Sequence, residues 1–248
     1  MTNRRLKGAA LAGVALGGAV AGYGAFAASA WLNYGHPAAP RLREVDPMLD
    51  RFIPRYDIVE RHRIYVEASA DVTLLAAKEL DLERSRIVRA IFTAREWAMG
   101  ADDAAVNRPR GLVALTRELG WGLLAEEAGR EIVMGAVTQP WKANVVFRAL
   151  PPGDFAAFNE PGYVKIAWTL RADPLRGGGS IALSETRAVA TDEMARKKFR
   201  NYWAMASPGI ALIRTMAMRL TKEEAERAQR ATGRVTETIV PPLAGTSM

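Results

Sequence analysis

The stretch YVKIAWTLRADPLRGGGSIALSETRAVA, residues 163–190, decides the fold class. Apolar and polar residues alternate from Tyr163 to Arg171, which is typical of a β-strand because successive side chains of a strand point to opposite faces. One face carries Val164, Ile166, Trp168 and Leu170, and the other carries Tyr163, Lys165, Thr169 and Arg171. A glycine turn at residues 177–179 leads into a second strand over residues 180–190. The stretch therefore predicts two antiparallel strands of one sheet.

The sequence before this stretch predicts four further strands. Residues 121–126 and 132–137 flank a turn at residues 127–129, which is the pattern of a β-hairpin. Residues 144–150 form another strand, and the first strand of the chain lies within residues 57–69. Together these segments predict an antiparallel meander.

Helices are predicted after the first strand and after the last one. Residues 70–82 form a helix, a second helix begins at Ser85, and residues 112–119 add a short third one. A long helix starts near Thr191 and repeats apolar residues every three or four positions, at Phe199, Trp203, Ala206, Ile210, Ile213, Ala217 and Leu220. Pro208 lies inside this pattern, and we expect a kink there because proline removes a helical hydrogen bond.

The N-terminal segment predicts an interaction with a membrane. No Asp, Glu, Lys or Arg occurs from Gly8 to Pro40, and the run from Gly8 to Leu32 exceeds the roughly 20 residues that a helix needs to cross a bilayer. Arg4, Arg5 and Lys7 precede the run, which favours a cytoplasmic N-terminus and an exported remainder. We therefore predict a single-pass anchor over residues 8–32.

A cleaved signal peptide is the alternative interpretation of this segment. The charged start, the apolar run and the small residues before Ala30 fit cleavage near that residue, which would leave a secreted domain. However, the run is longer than the roughly 7 to 15 residues of a usual signal core, and Trp31 and Tyr34 lie where interfacial aromatic anchors occur. The length favours a retained anchor.

The composition of the remaining chain limits the kinds of site, partner and domain that it can form. The sequence has no cysteine, which excludes disulfides, thiol nucleophiles and thiolate metal sites. The net charge of +7 is spread over a mixed-sign sequence, which argues against nucleic acid as a partner. About 200 residues after the anchor fit one domain. We divide the chain into an anchor or signal (1–34), a linker (35–55), one α+β domain (56–232) and a disordered tail (233–248).

The order of a strand, two helices, a meander and a long C-terminal helix resembles the helix-grip superfamily (SRPBCC) of START, Bet v 1-like and polyketide cyclase-like domains. The stretches Arg130–Gly135, Ser184–Arg187 and Phe199–Trp203 resemble those of uncharacterised bacterial members. The resemblance implies a curved antiparallel sheet that wraps around the last helix and holds a hydrophobic small molecule, such as a lipid or a polycyclic compound. It assigns no catalytic residue, no metal and no cofactor.

Aromatic residues of the predicted domain are candidates for the wall of a ligand pocket. A sheet that grips one helix leaves interior volume that large side chains or a ligand must fill. The candidates are Trp141, Phe155, Phe158, Trp168, Tyr202 and Trp203. Regular apolar spacing is also what a packed core requires, so each of these residues has a purely structural alternative.

Glu185 and Arg187 interrupt an apolar row on the last strand. They share one face with Ile181, Leu183 and Val189. If this face is buried, the two charges form a pair or hold the polar head of a ligand, because an unpaired buried charge costs several kcal/mol. If it is exposed, they form a surface pair of about 0 to 1 kcal/mol. A structural role is the favoured interpretation.

The sequence contains little evidence for an enzyme. His36 and His62 have no nucleophile placed near them by the sequence, and a P-loop, a dinucleotide fingerprint and a zinc-binding helix motif are absent. Three hypotheses follow. The protein is a membrane-tethered binder or carrier of a hydrophobic small molecule, a cyclase-like or dehydrase-like enzyme acting on such a molecule, or an anchored interaction domain with a filled core.

Overall fold

A computed structural model describes residues 2–82 and 111–239, with side chains over residues 17–82 and 111–232. The helices are α1 (Thr2–Asn33), α2 (Pro47–Asp50), α3 (Ala70–Lys78), α4 (Leu112–Glu118), α5 (Pro152–Ala157) and α6 (Glu193–Ile239). The strands are β1 (Ile58–Val66), β2 (Gly122–Glu127), β3 (Glu131–Thr138), β4 (Phe147–Arg148), β5 (Val164–Pro174) and β6 (Ser180–Ala190). The helix that the sequence predicts from Ser85 lies outside the described residues.

The six strands form one antiparallel sheet in the order β1-β6-β5-β3-β2, with β4 paired to the free end of β3. The predicted α+β class and the meander are confirmed. The turn between β2 and β3 contains Gly129 at a φ of 72°, a conformation that glycine adopts without strain. The strand that the sequence predicts over residues 144–150 is reduced to the two residues of β4.

One face of the sheet packs against α3 and the long C-terminal helix α6, which is a helix-grip-like arrangement. This face, the grip face, carries the even-numbered residues of β1, β5 and β6, because residues of equal parity are paired across these strands. Phe199 of α6 packs on Ile58 and Val164, and Met218 packs on Val66 further along the helix. The helix is continuous across Pro208, so the proline does not end it.

The opposite face of the sheet, the stem face, is covered by the segment before β1. The sequence predicts a linker over residues 35–55, whereas Leu49, Phe52 and Ile53 are buried against Val133 and Phe155. Asp46 caps α2 by accepting a hydrogen bond from the backbone N–H of Leu49. These three apolar residues lie in a segment too short to show a period, which is why the sequence pattern did not reveal their burial.

Helix α1 lies along the outside of α6. Arg200 donates from its Nε to the carbonyl of Trp31, and the Tyr34 ring packs edge-on against Phe199. The Tyr23 hydroxyl donates to the carbonyl of Met205, so the two helices run antiparallel. None of the helices in the described part of the chain is both long enough and apolar enough to cross a membrane. The predicted single-pass topology stays a prediction.

Candidate functional site

The grip face carries a polar centre near the β1 edge of the sheet, where β1 pairs with β6. Glu60 and His62 lie on this face of β1, and their partners across the pair are Thr186 and Ser184. The His62 imidazole Nε2 and the Glu60 carboxylate Oε1 are 2.8 Å apart. All four side chains are largely removed from solvent. A strand that would otherwise present a uniform apolar face to α6 therefore presents a hydrogen-bonded acid and imidazole.

Helix α6 adds a cation to this centre. Arg214 lies one turn from Ile210 and Ala217, within the row of residues that faces the sheet. Its Nε is 3.5 Å from Glu60 Oε2, and 22 % of its side chain is exposed. Burial lowers the pKa of Arg214, and the charge of Glu60 opposes that shift. Glu60 thus lies between an imidazole and a guanidinium group.

Several polar atoms at this centre have no hydrogen-bond partner among the described residues. They are Glu60 Oε2, Thr186 Oγ1, Ser207 Oγ and Arg214 Nε. Ser207 is buried two turns before Arg214 on α6, about 10 Å away along the helix axis. Pro208 has no N–H, so the Ala204 carbonyl also lacks its helical donor. We call Glu60, His62, Thr186, Ser207 and Arg214 the buried polar cluster.

Apolar residues extend from the buried polar cluster in both directions along α6. Phe199 and Trp203 lie towards the start of the helix, and Met218 and Ala225 lie beyond Arg214. Within the described part of the chain, no group of His, Asp and Glu has the arrangement of a metal site. The arrangement could bind a molecule that is mostly apolar and carries one polar group. An acid, an imidazole, a guanidinium group and two hydroxyls would be available to that polar group.

Charged residues are also buried on the stem face, and most of them are hydrogen-bonded; among the described residues Arg171 Nε alone on this face has no hydrogen-bond partner, although it lies 3.2 Å from Asp173 Oδ2. Glu185 accepts from Arg61 Nε at 2.8 Å and from Arg187 Nε at 2.6 Å. Arg187 also donates to the Ile53 carbonyl and to Asp50. Burial lowers the pKa of Arg187, but its bonds to Glu185 and Asp50 outweigh burial and the net pKa is raised. This network holds the segment before β1 against the sheet.

A second buried pair on the stem face consists of two acids, Glu131 and Asp46. Burial, followed by the hydrogen bond and the charge of Asp46, raises the pKa of Glu131 to about 8. Thr169 donates to Glu131, and Arg171 donates to the Val45 carbonyl. A cavity of about 110 Å³ adjoins this pair, beside Arg61. It is smaller than the roughly 300 to 1,000 Å³ of a ligand pocket and suits a few water molecules.

The structure distributes the eight residues that the sequence nominates over both faces of the sheet. Trp168 lies on the grip face, and Trp141, Tyr202 and Trp203 pack around Phe199 at the start of α6. On the stem face lie Phe155, Phe158, Glu185 and Arg187. The eight residues therefore do not form one site. Glu185 and Arg187 are buried, and their contacts are those of the structural interpretation.

Sequence reasoning missed the members of the buried polar cluster, although two signals were available. Glu60 and His62 are two residues apart on a strand, so they share a face. Arg214 stands in the apolar row of α6, where a cation needs a partner on the opposing surface. Thr186 and Ser207 carried no such signal, because buried hydroxyl groups are common in packed cores and become informative only when they lack partners.

Comparisons with known proteins add little to this geometry. No protein-family model and no curated protein sequence matches the chain. The crystal structure of CalU16 from Micromonospora echinospora is similar at 17% identity, covering 70% of this chain and 85% of that chain, with a TM-score of 0.24. The Zhui aromatase/cyclase from Streptomyces sp. R1128 is similar at 14% identity, covering 71% and 97%, with a TM-score of 0.25. Such low TM-scores carry no argument about function.

Proposed function

We propose that this protein binds a small, mainly apolar molecule between the sheet and α6, with the polar group of the ligand held by the buried polar cluster. One observation carries the proposal: four buried polar atoms of this cluster have no partner among the described residues. A buried polar atom without a hydrogen bond costs about 1–3 kcal/mol. Two of the four, Glu60 Oε2 and Arg214 Nε, form an ion pair with each other at 3.5 Å, and a bound molecule that reaches this pair and the two hydroxyls would supply the missing hydrogen bonds.

The chemistry of the cluster limits the ligand class. Arg214 supplies donors, the free oxygen of Glu60 accepts, and the hydroxyls of Thr186 and Ser207 do either. A hydroxyl, phenol or carbonyl group can form hydrogen bonds with this mixture of donors and acceptors. A permanent cation would be repelled by the positive charge of Arg214. The apolar residues on both sides of the cluster suit the body of a lipid or a polycyclic compound. An interaction domain with a filled core has no need for these polar atoms.

Native mass spectrometry with lipid extraction tests this proposal. The full chain is purified from a lipid-containing host, together with Arg214→Met and a control, Arg227→Met, which alters an exposed arginine of the same helix. We expect a stoichiometric apolar ligand on the unaltered chain and the control, and its loss from Arg214→Met. An unaltered chain that carries nothing and ignores a panel of lipids, sterols and polycyclic phenols would contradict the proposal.

A second candidate function is acid–base catalysis on the bound molecule. The hydrogen bond between His62 and Glu60 favours it, because a carboxylate that orients an imidazole is a common arrangement for a general base. Incubation of the loaded protein followed by mass analysis of the extracted ligand tests for turnover. We expect His62→Gln to retain the ligand and abolish any conversion. A ligand that the unaltered chain leaves unchanged would restrict the function to binding.

A further inference from the structure

The outward surface of α6 lacks the charges that a solvent-facing helix normally carries. Residues 201–218 contain one charged side chain, Arg214, and that side chain points to Glu60 and the sheet. Residues 219–230 of the same helix carry seven. A helix packed on a core usually places charged residues on its free side. Over five turns, or about 27 Å, the free side of α6 is uncharged.

Large apolar side chains are exposed on this part of α6 and on its neighbour α1. Met205 and Leu212 of α6 are 71 % and 46 % exposed. Val20, Tyr23 and Phe26 of α1 are exposed beside them, and the Tyr23 hydroxyl bonds to the Met205 carbonyl. We call these five residues the helix-pair surface. The Tyr23–Met205 bond brings exposed residues of the two helices together, which distinguishes them from single exposed apolar residues.

Basic residues lie at both ends of the uncharged stretch of α6. Lys197 and Lys198 are exposed before it, and half-buried Arg200 has its guanidinium 4.4 Å from the Trp31 ring centroid. Arg219 is exposed after it. An apolar centre with basic and aromatic edges is the composition of helices that lie in the interface of an anionic bilayer. A protein partner would instead call for polar groups within the patch.

We propose that the helix-pair surface docks on a bilayer containing anionic phospholipid, with α1 and α6 lying along the membrane surface. Val20, Tyr23 and Phe26 belong to the stretch of sequence from Gly8 to Leu32 that contains no charged residue. Because α6 also covers the buried polar cluster, docking places the proposed ligand site directly beside the lipid. That last consequence rests on the proposed function, whereas the docking itself depends only on the surface.

Fluorescent probes at single positions test the docking, since the chain has no cysteine of its own. Met205→Cys, Leu212→Cys and Val20→Cys carry a polarity-sensitive dye in the full chain, and Val146→Cys, exposed between β3 and β4, is the control. The proteins are added to vesicles of phosphatidylcholine with phosphatidylglycerol. We expect probes at positions 20, 205 and 212 to shift to shorter wavelength and to be quenched by spin-labelled lipid, and the probe at 146 to remain unchanged.

Other outcomes would overturn the docking proposal without affecting ligand binding. Quenching at position 20 with water-exposed probes at 205 and 212 would mean that α1 alone enters the membrane. A concentration-dependent shift at 205 and 212 without vesicles would assign the surface to a second copy of the chain. Equal quenching in vesicles of phosphatidylcholine alone would overturn the role of anionic lipid.

Discussion

The two faces of the sheet bury charged residues in opposite ways. On the stem face, Arg187 and Glu185 satisfy each other and reach Arg61, Asp50 and a backbone carbonyl. On the grip face, Glu60 and Arg214 approach to 3.5 Å without a hydrogen bond, and hydroxyl groups near them have no partner among the described residues.

This difference separates structure from function on a single sheet. A buried charge that is fully bonded needs nothing else, so its neighbours explain its presence. A buried charge with free atoms has a cost that the described residues do not offset. Burial alone would nominate both faces as sites. Four of the five unpartnered polar atoms among the described residues lie on the grip face or on α6, and the fifth, Arg171 Nε, lies on the stem face. The predictions below test whether that difference marks a binding site.

The largest expected effect follows from removing the central cation of the stem face. Arg187→Met leaves buried Glu185 with Arg61 as its remaining cation and leaves half-exposed Asp50 without its partner. Breaking one partner of a buried ion pair costs about 3–5 kcal/mol of unfolding free energy. Urea denaturation measures this loss, with exposed Arg176→Met as the control. A loss below about 1 kcal/mol, the range of a surface pair, would show that the stem face is not a structural network.

The next effect concerns the two acids beneath α2. A pKa of about 8 keeps Glu131 protonated at neutral pH, whereas the ordinary value of 4.5 applies when the chain unfolds. The folded state then binds the proton more tightly, so the contribution of Glu131 to stability is fully present below about pH 4.5 and is lost as the pH rises through about 8. Glu131→Gln mimics the protonated acid, and we expect its stability to vary less across this range.

Thermal unfolding between pH 5 and 9 measures the effect of Glu131→Gln. The variant should unfold at a higher temperature than the unaltered chain at the alkaline end and at a similar temperature at the acid end. Glu127→Gln, at the exposed end of β2, is the matched control. Parallel pH profiles for all three proteins would contradict a proton held between Asp46 and Glu131.

The sequence predicts the sheet and α6 because in each of them one hydrophobic pattern repeats regularly over a long stretch. Eleven residues of β5 and the apolar row of α6 each repeat one pattern, and local pattern is what the chain shows directly. The packing of residues 46–53 on the sheet is not visible in this way. Leu49, Phe52 and Ile53 acquire their burial from strands more than 70 residues away along the chain.

The candidate site was only partly accessible from the sequence for a related reason. The parity of Glu60 and His62 and the place of Arg214 in an apolar row are local facts, and they could have been combined. What makes the cluster a site is that Thr186 and Ser207 lack partners, and a missing hydrogen bond is a property of three-dimensional surroundings. The aromatic pattern has two interpretations from sequence alone, because a side chain as large as Phe155 packs a core as readily as it lines a pocket, and Phe155 is fully buried.

On the grip face, removing the cation should affect binding more than folding. Arg214→Met breaks one ion pair, to Glu60 at 3.5 Å, but it leaves the His62–Glu60 contact in place, so part of the burial of Glu60 stays compensated. A hydrogen bond to a charged group contributes about 1.5–3 kcal/mol, so we expect ligand affinity to fall roughly 10- to 100-fold. Titration with the extracted ligand measures this, and urea denaturation of the same variant checks stability. Strong unfolding with unchanged affinity would make Arg214 structural.

The smallest effect gives the most direct test, because two buried threonines of adjacent strands differ only in their partners. Thr169 donates to Glu131 on the stem face, whereas Thr186 Oγ1 has no partner among the described residues. Valine has nearly the same shape without the hydroxyl. Thr169→Val should therefore lose about 1 kcal/mol of stability, and Thr186→Val should keep or slightly gain stability.

Ligand affinity should respond in the reverse order to these two substitutions. Thr186→Val removes a hydroxyl that the proposed ligand uses, so binding should weaken about 2- to 10-fold, while Thr169→Val leaves it unchanged. Denaturation and ligand titration on the same two proteins give all four values. If Thr186→Val destabilises the apo protein as much as Thr169→Val does, then Thr186 has a partner in the folded chain and the two faces are alike.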